Sequence, residues 1–187
     1  MIEVLAAFGL AGATGLNAYL PLLIVGLLAR YTDWITLQAP WNALENPWVL
    51  GVLAVLLAIE MTVDKIPAAD TANDIIQTVV RPAAGAILFA ASGNVISEMS
   101  PVFAMVCGLL TASGVHAAKA TVRPVVTATT GGLGNPVVSV TEDVLSGATT
   151  LIAVILPALM ALFVLVIAGV FVWFIVRLRR RKRVAAT

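Results

Sequence analysis

The chain has 187 residues, of which 60% are hydrophobic and only 11% charged, with a mean hydropathy of +1.03 and a formal net charge of +1. Soluble globular domains carry about 25% charged residues, so these values exclude a soluble fold and predict an all-α, polytopic membrane protein occupying residues 1–187 as one membrane domain. The single cysteine, Cys107, lies in an apolar run and excludes a disulfide within the chain.

The first apolar run extends from Val4 to Ala29. Glu3 stands where a secretory leader carries basic residues, so the run reads as a retained first span. Gly9, Gly12 and Gly15 recur every third position and form one smooth helix face for close packing. Thr14, Asn17, Tyr19 and Pro21 add polarity and predict a kink near the middle. Residues 30–47 read as a polar loop, with Trp34, Trp41 and Trp48 suited to a membrane interface.

The second span begins near Trp48 and extends through Glu60, as far as Asp64, before Ile66-Pro67 ends it. Asp70 or Thr71 is expected to cap the next helix, with Asp74 in its first turn. This third segment, Ile75 to Ser97, holds Arg81-Pro82 in its first half, where a proline invites a break. The uncharged runs on either side of this stretch have only fourteen residues, from Asn46 to Ile59, and sixteen, from Pro82 to Ser97. A helix needs about 20 residues to cross a bilayer core. Crossing therefore draws Glu60 and Arg81 into membrane depth, where ionisable groups are costly and are kept for function or pairing.

The fourth span runs from Met99 to Ala118, with His116 near its end and Lys119 just after it. The fifth, Pro124 to Thr141, has TTGGLGNP at its centre and is expected to be broken or re-entrant, like the third. The sixth draws on the uncharged run from Val144 to Val176, kinked at Pro157 and anchored by Trp173. Six crossings place both termini on one side, and the RLRRRKR run makes residues 177–187 a basic cytoplasmic tail. Lys65, Lys119 and Arg123 then lie inside and only Arg30 outside.

Residues 13–18, ATGLNA, match residues 112–117, ASGVHA, with small or conservative changes. Two inverted three-helix halves, 1–97 and 98–176, would account for this match and would resemble the repeats of many transporters.

Several residues are candidates for a polar site between such halves. Glu60 and Asp64 are four apart and share one helix face, which suits proton coupling or cation coordination. Arg81 is the natural partner for a buried acid. His116, the only histidine, occupies the repeat position of Asn17. Glu142 is the counterpart of Glu60, and Asn135 lies in the glycine-rich stretch before it. A basic alternative groups Arg81, Lys119, Arg123 and His116 as a pocket for a lipid phosphate. One His and one Cys make no metal set, and no cofactor or catalytic signature is present.

The strings GLNAYLPLL, DKIPAAD, VVRPAAGA and GGLGNPVVSVTED together resemble an uncharacterised family of bacterial integral-membrane proteins, domain of unknown function 4126, from about Gly9 to Gly147. The resemblance implies a small multi-pass protein of the bacterial inner membrane and no particular activity. A weaker likeness links Glu60–Lys65 to the E-x-G-D-K motif of cation/proton exchangers, with one residue more and no glycine; only Glu142-Asp143 remains of a second copy. The function expected is therefore a small transporter or channel for an ion or small solute, with or without coupling to a proton or cation. The alternatives are a protein that binds or translocates a lipid phosphate and a non-catalytic subunit of a membrane complex. Its partners would be the bilayer, the ion or small solute and, in a homo-oligomer, further copies of itself. Nucleic acid is excluded, because no folded basic surface accompanies the tail.

Overall fold

The computed structural model describes residues 2–64, 67–92, 100–155, 163–171, 173 and 174. Among them the regular elements are all helical: α1 (Ile2–Leu16), α2 (Tyr19–Tyr31), a single 3-10 turn (Trp41–Glu45), α3 (Pro47–Val63), α4 (Pro67–Ala91), α5 (Pro101–Thr130) and α6 (Asn135–Ile155). Residues 163–171 are also helical. The stretches Asn73–Ala91, Pro101–Thr130 and Asn135–Ile155 are long and apolar enough to cross a membrane, and α1, α2 and α3 are shorter apolar helices. The chain is thus compatible with a membrane protein. The basic tail, Lys65, Ile66 and Pro157 lie outside the described residues.

The helix limits follow from local chemistry. Asn46 opens α3 by accepting the Trp48 N–H, with Pro47 at the first helical position. Ser100 opens α5 in the same way, accepting from Phe103 N–H ahead of Pro101. That helix closes on Gly131, whose φ of 61° suits a residue without a Cβ.

Four expectations change. The run from Val4 to Ala29 is not one kinked span. Helix α1 stops at Leu16, and the Asn17 side-chain Oδ1 then accepts the N–H groups of Tyr19 (3.1 Å) and Leu20 (2.9 Å) to start α2. The second helix doubles back on the first, since Glu3, Ala6 and Leu10 line one cavity with Val25, Trp34 and Leu37. Helix α4 does not break at Arg81-Pro82 but continues through it; neighbouring groups in a packed helix compensate the lost backbone bond. The TTGGLGNP stretch is not a broken span either. It is the turn joining α5 to α6, and α5 runs unbroken past Lys119, Arg123 and Pro124 to Thr130. Since α4 starts at Pro67, Asp70 and Thr71 stand inside it and do not cap it.

Contacts fix the directions of the helices. The end holding residues 32–46 is called here the loop end, and the end holding the turn at Gly131–Gly134 the turn end. Thr14 touches the backbone of Arg81 and Phe8 stacks edge-on against Phe89, so α4 is antiparallel to α1. Ala7 and Ala11 pack with Ala104, while the Leu16 carbonyl meets Lys119, so α5 is parallel to α1. Helix α6 returns along α1, through Asp143 at Asn17 and Ser146 at Ala13. Small residues let these helices approach closely. A Cβ on Gly15 would lie 2.6 Å from the Ala112 carbonyl oxygen, and one on Gly85 would lie 2.5 Å from the Ala112 Cβ. The matching strings 13–18 and 112–117 therefore pack side by side on helices that run the same way. An inverted pair requires opposite directions, so this match does not mark one.

Large apolar side chains remain exposed along α3 (Trp48 to Ile59), α5 (Val102 to Val125) and α6 (Val137 to Ile155). This outward apolar belt surrounds an interior that contains charge.

Candidate functional site

The doubled-back pair α1–α2 ends short of the turn end, and its tip lies against a buried polar network. Every contributor comes from a helix end or a helix face forced inward by the packing above. Glu60 and Asp64 stand one turn apart at the end of α3, both almost fully buried. Arg81, with 0% exposure, projects from the middle of α4. His116, Lys119 and Arg123 occupy one face of α5, and Glu142 and Asp143 face them from α6.

The ion pairs form a chain. Arg81 Nη2 lies 3.0 Å from Glu60 Oε1 and 3.6 Å from Asp64 Oδ2. Asp64 Oδ2 is the hub, since Lys119 Nζ and Arg123 Nη2 each approach it at 3.2 Å. Its other oxygen accepts from Asn73 Nδ2 at 2.8 Å. Glu142 Oε2 closes the chain, 3.1 Å from Lys119 Nζ and 2.6 Å from Arg123 Nη2. Arg81 Nη1 donates to His116 Nδ1 at 2.9 Å and faces Asp74 Oδ1 at 3.8 Å.

Both ends of the broken helix pair enter this network with matching polarity. The last carbonyl of α1, that of Leu16, accepts from Lys119 Nζ at 3.1 Å. At the start of α2 the Ala18 N–H donates to Glu60 Oε1 at 3.4 Å. A cation thus meets a helix C-terminus and a carboxylate meets a helix N-terminus, the favourable arrangement for both dipoles. Asn17 at the tip donates to Asp143 Oδ1 at 2.9 Å.

The carboxylates of Glu60, Asp64, Asp74, Glu142 and Asp143 outnumber the permanent cations Arg81, Lys119 and Arg123 among the described residues. Among the described residues three acceptors of the network, Glu60 Oε2, Asp74 Oδ1 and Gln77 Oε1, have no hydrogen-bond partner, and Tyr19 lies beside Glu60 and Gln77. A cavity of about 550 Å³ adjoins the network between α4, α5 and the start of α6, lined by Asp74, Thr78, His116, Arg123 and Asn135 among others. Asn135 is held there by the Thr127 hydroxyl, which donates to its Oδ1 at 3.0 Å.

The structure brings Asn17, Glu60, Asp64, Arg81, His116, Lys119, Arg123 and Glu142 into one contiguous network, with Asn135 at the edge of its cavity. Two of these differ in kind from the expectation. Lys119 and Arg123, expected in a cytoplasmic connection, are 5% exposed and lie within α5. The reason is that α5 continues one and a half spans' worth of sequence before its glycine stop. Asp64, expected to share a helix face with Glu60, is the hub. Asp143, Asn73, Gln77 and Thr78 were not singled out. The missed signal is the spacing of His116, Lys119, Arg123 and Thr127, which puts all four on one face of a continuous helix.

Comparison with curated proteins and with solved structures gave no significant match. A family profile described as Domain of unknown function (DUF4126) matches residues 4–180, and the chain belongs to that family.

Proposed function

We propose that this protein is a small integral-membrane transporter or channel for an ion or small solute, coupled to a proton or cation that binds at Glu60. The observation that carries the reading is a network with more carboxylates than cations among the described residues, at the tip of a doubled-back helix pair. Excess charge of one sign is expensive inside a membrane domain unless a mobile counter-charge is held with it. Half-helix ends directed at a polar site recur in secondary transporters. The adjacent cavity of about 550 Å³ supplies room for a solute.

In this reading the protein sits in the bacterial inner membrane, with α3, α4, α5 and α6 crossing and the α1–α2 pair entering as a re-entrant hairpin. The uncharged sequence after α6, residues 156–176, is long enough for a fifth crossing. This replaces the six-segment inverted architecture and puts the N-terminus on the face opposite the basic, cytoplasmic tail. The lipid-phosphate alternative is weaker, because Lys119 and Arg123 are already engaged by Asp64 and Glu142.

The test is flux in proteoliposomes. Purified protein should move protons, alkali cations or small anions down an imposed gradient, and Glu60→Gln should abolish or strongly reduce that movement. Absence of flux for every solute in the wild type, or unchanged flux in Glu60→Gln, would refute the reading.

A further inference from the structure

The geometry around His116 has a chemical consequence for how the network opens. A guanidinium only donates hydrogen bonds. His116 Nδ1, 2.9 Å from Arg81 Nη1, must therefore be the acceptor, and the neutral ring carries its proton on Nε2. That Nε2–H lies 3.2 Å from Thr78 Oγ1, whose own hydroxyl proton is directed to the Asp74 carbonyl at 2.8 Å. Both ring nitrogens are accounted for, and the tautomer is fixed by its neighbours.

The same geometry excludes a simple relay. A proton passed from His116 towards Glu60 would have to travel through Arg81, which does not release its protons. Protonation of the ring instead acts on Arg81 itself. It converts Nδ1 from an acceptor into a donor and adds a positive charge within hydrogen-bond distance of the guanidinium.

We propose that His116 is a proton-operated latch on Arg81, closed when the ring is neutral and released when a proton reaches Nδ1 from the adjoining cavity. This rests on the transport reading for its purpose and on geometry alone for its operation. The proton adds to the Nδ1 lone pair and forms an imidazolium; the Arg81 Nη1–H···Nδ1 bond is the only bond lost in that step. Arg81 has a destination, because Asp74 Oδ1 faces the same Nη1 at 3.8 Å on the cavity side. A shift towards Asp74 withdraws Nη2 from Glu60 Oε1 and leaves that carboxylate with the Ala18 N–H alone. Proton arrival at His116 would thus free Glu60 to take its own proton or cation. Among the described residues the charged groups acting on the ring are Arg81 and Asp74 from α4 and Lys119 and Arg123 from α5.

Because the chain has one histidine, nitrogen-15 labelling of histidine gives a single imidazole in nuclear magnetic resonance of the wild-type protein in nanodiscs. At neutral pH the ring should be the Nε2–H tautomer with a through-space contact from Nδ1 to an arginine side chain. On acidification from neutral pH, Nδ1 should gain a proton and the arginine contact should vanish. An Nδ1–H tautomer at neutral pH, or a protonated ring that keeps the contact, would overturn the latch. In the flux assay His116→Gln, which offers an acceptor but takes up no proton, should lose the wild type's step in flux over the same pH range. A step that persists also overturns the proposal while leaving the transport reading intact. Absence of wild-type flux would remove the transport reading, and the spectra would still decide the latch.

Discussion

Arg123 contacts two buried carboxylates with one nitrogen, Glu142 at 2.6 Å and Asp64 at 3.2 Å, and is itself 5% exposed. Removing one partner of a buried ion pair leaves an uncompensated charge and costs about 3–5 kcal/mol. Arg123→Met should therefore lower the thermal unfolding midpoint in detergent by more than removal of an exposed charge such as Arg30. The cost should fall when the acid goes too. A cycle with Glu142→Gln should recover part of the loss, and strict additivity of the two substitutions would show that the pair is not coupled. At this scale the sequence displays Glu60 and Arg81 clearly, because each abuts an apolar run too short to span without it. The burial of Lys119 and Arg123 within a helix is hidden by Pro124. A proline next to a cationic residue looks like a helix edge, whereas here the helix carries it. Asp143 gave no signal separable from Glu142, since only packing decides which of two adjacent acids faces Asn17.

Among the elements, the α4–α5 crossing positions the Arg81–His116 contact, and glycine makes it possible. Gly85 stands one turn from Arg81, and a Cβ there would meet the Ala112 Cβ at 2.5 Å, the Gly108 carbonyl oxygen at 2.8 Å and Thr14 Oγ1 at 2.9 Å. Two of these are fixed groups and cannot swing aside. Gly85→Val should push the helices apart and cost about 1–3 kcal/mol, the usual penalty for overpacking. Gly114→Ala, whose new methyl meets open space, should change stability by no more than about 0.5 kcal/mol. Equal losses in heat-unfolding midpoint for the two variants would mean that the crossing is not close-packed in solution. The helix limits were largely legible at this scale, since Asn46-Pro47 and Ser100-Pro101 announce helix starts, although TTGGLGNP was legible only as a disruption. What the sequence could not display was direction. Asn17 reads as polarity within a span, and only the contacts of Leu10 and Val25 at one end reveal that the chain turns back there.

For the molecule as a whole, that reversal changes the accounting of sides. Helix α1 starts at the loop end and α2 returns to it, so the pair contributes no net crossing. Helices α3 and α5 leave the loop end, while α4 and α6 come back to it, placing Ala153 and Val154 beside Glu3 and Trp34. Phe163 packs on the core cluster that contains Leu10 and Ala153, so in the proposed topology a final crossing by the uncharged sequence of residues 156–176 would carry the RLRRRKR tail to the turn end. Asp64 and Pro67, which flank Lys65 in the sequence, lie at that same end. Positive charge is enriched on the cytoplasmic side of short connections, so the proposed topology would have the turn end in the cytoplasm and Arg30 with the N-terminus on the opposite face. Labelling of single cysteines tests this directly in a Cys107→Ala background. Ile2→Cys should react with a membrane-impermeant maleimide in intact spheroplasts, and Thr187→Cys only after lysis. If both react, or neither does, the termini share a face, α1–α2 crosses as one span in the membrane, and the tip that presents Ala18 to Glu60 would have to form by another route.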